Sequence, residues 1–187
     1  MAKIAGPFVM PDANAAMIGR IADAWAQLEF QVDRGIWTLL RAPQQFAACL
    51  TSQMLSIHPR MKAFIALVEI QGASAKTIRA LNKIYGEMGA LSEARNRAVH
   101  DPRLVDYDSK EVYRLDVTAR PKPHFGFIPE NLENRRAFHD QIYEATTRFS
   151  NLRDAAIAEI EALPLASRPP LLGIVELREA SVIPPTS

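Results

Sequence analysis

A second cysteine is missing. Cys49 stands alone among 187 residues, so no internal disulfide and no paired-thiol site can form, and a reducing compartment is the natural setting. The residue itself reads as a small buried position of a helix. Absent too is any run of about 18 apolar residues, which excludes a spanning helix. The opening "MAKIAGPFVMPDANAAM" is interrupted by Gly6, Pro7 and Pro11 before the apolar core of a signal peptide could develop. A cytoplasmic protein without membrane contact is the expectation.

Charge of one sign is lacking as well. A formal net charge of +1 gives no bulk attraction to nucleic acid or to membranes, so any basic footprint must be local. His58, His124 and His139 are scattered, and no pair has the separation of a zinc or di-iron site. No metal and no cofactor are therefore expected. There is no glycine-rich phosphate loop, serine elbow or kinase-like set.

What remains is an ordinary globular composition, 48% hydrophobic and 23% charged, in a length that suits one domain. From Pro11 to about Leu40, Ile18, Ile21, Trp25, Leu28, Val32, Ile36 and Leu39 follow the three-to-four spacing of one helical face. A second helix is predicted from Pro43, carrying Phe46, Cys49, Leu50 and Met54, and a third from Pro59, with Met61, Phe64, Ile65 and Val68 as its stripe and Gly72 as its stop. Ser74 caps a fourth, striped by Ile78, Leu81, Ile84, Tyr85, Met88 and Leu91 and ending near His100, because Pro102 disfavours helix at Asp101. Gly86 and Gly89 within it mark a close contact or a bend.

Beyond Pro102 the period changes. Tyr113, Leu115 and Val117 alternate with Arg114, Asp116 and Thr118, which predicts a small hairpin, with "HFGFI" as a third extended piece. The last helix runs from near Asn131 to Leu163. The expected fold is mainly α: a bundle of four to five helices with a β-hairpin inserted before the last long one. Residues 1–163 form the domain, and 164–187 a proline-rich C-terminal tail.

The chemistry concentrates in "LSEARNRAVHDPRL", residues 91–104. At about 100° per residue, Arg95 falls in the sector of Leu81, Met88 and Leu91, where an apolar residue is due, while Asn96 and His100 lie together on the flank, one turn apart. A guanidinium beside an imidazole suits a phosphodiester: arginine grips phosphate oxygens through paired hydrogen bonds, and histidine moves protons near neutral pH. In metal-free RNA cleavage the 2′-hydroxyl is the nucleophile, so the protein supplies only proton transfer, charge stabilisation and alignment. Glu29, on the edge of the first helix's stripe, is a partly buried carboxylate in want of a cation; Arg95 and some other arginine are equal candidates. Arg97, Arg103, Arg114, Arg120, Lys122, Arg135 and Arg136 gather around motif and hairpin as a possible phosphate rim. Seven acidic residues share positions 95–136 with them, which favours a mixed solvated surface. His139 and Tyr143, one turn apart, read as a solvated edge. Trp25, Trp37 and the phenylalanines at helical spacing read as core.

Arginine, a polar residue, and histidine at a helix end resemble the motif of the HEPN superfamily, in which histidine follows arginine by four to six residues. The first helix, "ADAWAQLEFQVDRGIWTLL", is similar to the opening helix of uncharacterised HEPN-like bacterial proteins, with Trp25 and Glu29 in like places. The resemblance implies a dimerising helical bundle, a homodimer whose two copies meet at a shared cleft, with Arg95 and His100 as the active pair, Asn96 assisting, and Glu29 and Asp101 supporting. It implies RNA as substrate, with Arg97 and Arg103 as RNA-binding residues, in a metal-independent endoribonuclease of a bacterial defence or toxin system. Some members are instead non-catalytic scaffolds that bind a cognate protein partner. In that alternative the Arg-Asn-His set only satisfies helix-end carbonyls and Glu29. Where many such motifs continue with glycine, this chain has Asp101-Pro102, and Asp101 could either hold the imidazole or repel an incoming phosphate.

Overall fold

The computed structural model describes residues 10–106, 108–118 and 123–164. Its elements run α1 (Asp12–Leu40), α2 (Gln44–Ser52), α3 (Ile57–Ile70), α4 (Ala75–His100), β1 (Arg103–Val105), β2 (Val112–Thr118), β3 (His124–Pro129) and α5 (Leu132–Ala162). The mainly helical expectation holds, with a three-stranded antiparallel sheet in place of a hairpin, ordered β1-β2-β3. The tail from residue 165 onward lies outside the described residues, as do Arg120 and Lys122.

The helices form where their stripes demand it. Ile21, Trp25, Leu28, Val32, Ile36 and Leu39 of α1 are buried with Met61, Phe64 and Val68 of α3, Leu81, Ile84 and Met88 of α4, and Ile142, Phe149 and Ile160 of α5. Gly35 allows the closest approach: a Cβ there would sit 2.7 Å from the Phe64 ring, which forbids any side chain without a shift of the α1–α3 packing. Gly72, at φ +90°, ends α3 in the left-handed region that glycine adopts without strain. Ser74 caps α4 by accepting from the Thr77 amide. Asn131 caps α5 through Asn134.

Helix α2 departs from expectation. Phe46, Leu50 and Cys49 are exposed, and Ala47 and Thr51 are buried instead. Small residues let this nine-residue helix lie close on α1, where Trp37 Nε1 donates to Thr51 Oγ1 at 3.0 Å. A shape-matched polar contact thus displaces the larger apolar side chains from the interface.

The short β1 was not marked by any period in the sequence. It pairs with β2 (Leu104 opposite Tyr113), and β2 pairs with β3 with Leu115 opposite Phe127 and Val117 opposite Phe125. No described helix is long and apolar enough to cross a membrane.

Candidate functional site at the end of α4

Two helices outrun a third at the site. His58, in the first turn of α3, lies against Gly89 of α4, where an added Cβ would meet its ring at 3.4 Å. From Gly89 the helix continues to His100, about 16 Å at ~1.5 Å per residue. Helix α1 likewise extends past the level of Asp33, which Arg60 of α3 contacts at 2.7 Å. Above the N-terminus of α3, the flanks of α1 and α4 that it covers lower down become a step. Gly89, Asn96 and His100 share one flank of α4, so Asn96 and His100 stand over that step. The N-terminus of α3 lies at the level of Gly89, about 10 Å below Asn96 and about 16 Å below His100 along the axis of α4.

Arg95 is half-buried, Asn96 and His100 exposed. Arg95 Nη1 donates to Asn96 Oδ1 at 3.1 Å. Its Nε is buried with no hydrogen-bond partner. Among the described residues that is the one side-chain hydrogen bond or ion pair the three motif residues make. The structure therefore brings Arg95 and Asn96 into contact and places His100 one turn on, on the same flank as Asn96.

The supporting residues go elsewhere. Glu29 is half-buried but makes no ion pair with Arg95. The α1 carboxylate that finds an arginine is Asp33, whose partner is Arg60. Burial raises the Asp33 carboxyl above its ordinary value, Arg60 opposes this, and the Glu29 charge one turn away adds to it. Asp101 does not bond the imidazole; its Oδ2 lies 3.5 Å from Arg114 Nη1. The acid that follows His100 is thereby partly neutralised.

Arg103 is a correction to the expected rim. Its side chain is 3% exposed, donating to the carbonyls of Ala98 and Asp101 (2.8 Å to the latter) and to Glu130 Oε2 at 3.0 Å. A guanidinium buried this deeply, with its fork filled by helix-end carbonyls and a carboxylate, is not available to a phosphate. Arg135 is also buried, held by Glu130 and by the carbonyl and side chain of Asn14. Arg97 does stay at the surface, 47% exposed, and pairs with Asp116 at 3.2 Å. His139 bonds the neighbouring Asp140 at 3.0 Å and Tyr143 is exposed, a solvated edge as read.

Glu130, which sequence reasoning passed over, is the hub of this end. It receives Arg103, Arg135 and, at 3.9 Å, Arg114. Its place directly before the α5 cap was the available signal. A cleft of about 480 Å³ between α4 and α5, lined by Ala90, Ala94, Phe138 and Arg148 among others, opens on the flank of α4 opposite Asn96 and His100 and brings none of the motif together. Among the described residues no group of three His, Cys, Asp or Glu is placed to hold a metal ion. Compared with known proteins, the chain matches no family model, no curated protein and no solved structure.

Proposed function

We propose that the chain is a HEPN-like, metal-independent endoribonuclease in which Arg95 binds the scissile phosphate and His100 moves protons. The observation that carries this reading is the division of labour between two arginines. The helix-end carbonyls, which a purely structural role would assign to the Arg-Asn-His set, are taken by Arg103. Among the described residues Arg95, Asn96 and His100 have no such duty, and Asn96 and His100 are exposed.

The chemistry asks little more. The 2′-oxygen attacks the adjacent phosphorus and the bond to the 5′-oxygen breaks, leaving a 2′,3′-cyclic phosphate and a 5′-hydroxyl. One proton leaves the nucleophile and one reaches the departing oxygen. Asn96 fixes one edge of the Arg95 guanidinium, and its uncommitted Nη2 is left for phosphate oxygens as negative charge grows on them. The motif holds one imidazole per chain, whereas the reaction moves two protons, so a homodimer presenting two His100 side chains to one phosphate supplies both.

The test is incubation of end-labelled RNA with the protein in excess chelator, beside Arg95→Ala and His100→Ala. The expected result is cyclic-phosphate ends from the wild type and a loss of about 100-fold or more in each variant. Cleavage that survives in His100→Ala, or no cleavage of several unrelated RNAs, sinks the reading and leaves the non-catalytic, partner-binding module.

A further inference from the structure

Helix α2 carries its large apolar side chains on the outside. Phe46 is 70% and Leu50 58% exposed, while Ala47 and Thr51 face α1. At about 100° per residue this leaves α2 two flanks. Gln44 and Ala48 take one, and Gln44 lines a cleft there with Phe30, Arg34 and Thr38 of α1. Phe46 and Leu50 take the other, on the side of α3. Helix α3 answers with a stripe of its own. Arg60 bonds Asp33 of α1 and, through Nε and Nη2, the Met54 carbonyl just beyond α2 at 3.2 and 2.8 Å. Ala63, Leu67 and Ile70 follow Arg60 along the same flank, the first two half-buried and Ile70 65% exposed. Helix α2 packs on α1 rather than on α3, so a groove with apolar walls runs between α2 and α3. No acidic or basic side chain of either wall is free in it. From Ala42 to Pro59 the chain has no Asp, Glu, Lys or Arg, Arg60 is committed to Asp33 and Met54, and Lys62 and Glu69 lie on the other flank of α3.

We infer that residues 171–177 of this same chain, Leu-Leu-Gly-Ile-Val-Glu-Leu, dock in this groove; the inference is independent of the ribonuclease reading. Position selects the occupant. Asn14 meets Arg135 and Gln31 meets Arg153, offsets of 121 and 122, so α1 and α5 run side by side in one direction. Helix α5 therefore ends level with the end of α1, where α2 begins. Its last turn also reaches α3, since a Cβ on Gly72 would lie 3.2 Å from Leu163 Cδ1. The described chain thus leaves the body beside Gly72, two residues from Ile70 and at the mouth of the groove. Residues 165–170 span up to about 20 Å, enough to enter it. Seven residues cover about 10 Å as a helix and about 23 Å extended, and the wall from Ala63 to Ile70 is about 10 Å long. Composition agrees with position: Leu171 to Val175 are uncharged and, Gly173 apart, apolar, which suits walls that offer a charge no partner. A segment tethered at the groove also meets it at an effective concentration of about millimolar, which a separate molecule does not reach in dilute solution. Docked there, it covers Phe46, Leu50 and Ile70 and braces a helix that buries only Ala47 and Thr51.

Hydrogen exchange read by mass spectrometry on the full chain tests this. In the wild type the amides of residues 171–177 are expected to exchange about tenfold or more slower than in a free peptide of that sequence. Leu50→Asp in the groove and Ile174→Asp in the segment should each restore the free-peptide rate. Tyr143→Asp, at a comparably exposed site on α5, should leave the protection in place. Neither Leu50 nor Tyr143 is buried, so circular dichroism should stay that of the wild type. Free-peptide exchange in the wild type overturns the docking, as does protection that survives Leu50→Asp or Ile174→Asp, or a loss common to all three variants. Protection that falls on dilution also overturns it and assigns the groove to the segment of a second copy.

Discussion

Arg95 and Arg103 lie on either side of the same helix end and have opposite surroundings. Arg103, in the strand after α4, is almost wholly enclosed, and its donors meet two carbonyls and the Glu130 carboxylate. Arg95, in the last turns of α4, occupies a core-facing sector yet among the described residues bonds only Asn96, with its Nε buried and unpaired. A buried guanidinium is tolerated where its partners replace water. One that is half-buried without them costs stability, and a residue kept at such a cost is a candidate for function rather than for folding.

The largest effect that follows is on Arg103. Replacing it by methionine keeps the length of the side chain but uncovers the carbonyls of Ala98 and Asp101 and removes one cation from Glu130. Breaking a buried pair in this way costs about 3–5 kcal/mol, which for a chain of this size lowers the melting temperature by roughly 10 °C or more. Thermal melts followed by circular dichroism measure it. A fall of only about 2 °C would mean that Arg103 is not the closure of this helix end, and the contrast with Arg95 would lose its basis.

At its opposite end α4 is closed by a carboxylate, which extends the comparison. Glu159 of α5 accepts from the Ser74 amide at 2.6 Å and from Thr77 Oγ1 at 2.5 Å. Those hydrogen bonds, Thr77's first, hold its carboxyl below its ordinary value. For an acid so shifted the stabilisation is present above the unfolded-state pKa and is lost as pH falls through the folded one. Glu159→Gln should therefore lower the melting temperature near neutral pH by less than Arg103→Met does, and the gap from wild type should close as the solution is taken below the carboxylate range. A gap that stays constant with pH would assign the effect to shape rather than charge.

How far this end could be read from sequence depends on which physical force rules each segment. Hydrophobic periodicity located α1, α3, α4 and α5, and the caps Ser74 and Asn131 fell where side-chain oxygens could meet free amides. Periodicity misled at α2, where Ala47 and Thr51 rather than Phe46 and Leu50 face the body, because close approach outweighed apolar size. It located the strands β2 and β3 but not their orientation: alternation shows that two faces differ but not which is covered, and here the ion pairs of Arg114 and Asp116 with the end of α4 turn the apolar face outward. The arginine cluster was visible as residue types, yet only three dimensions separate the buried Arg103 and Arg135 from the surface Arg97.

The smallest effect is the most discriminating. Arg95→Met retains an unbranched stem of similar length in a sector shared with Met88 and Leu91, and removes a guanidinium whose buried nitrogen has no partner. Methionine and arginine have nearly equal helix propensity, so the backbone is indifferent to the exchange. The expected change is a gain of about 0.5–1 kcal/mol, a rise of roughly 1–4 °C in melting temperature, together with, on the proposed ribonuclease reading, loss of RNA cleavage. The same substitution made at Arg103 moves stability the other way. If Arg95→Met instead destabilises the protein as Arg103→Met does, Arg95 belongs to the scaffold, and the loss of activity in its variants would report unfolding rather than chemistry.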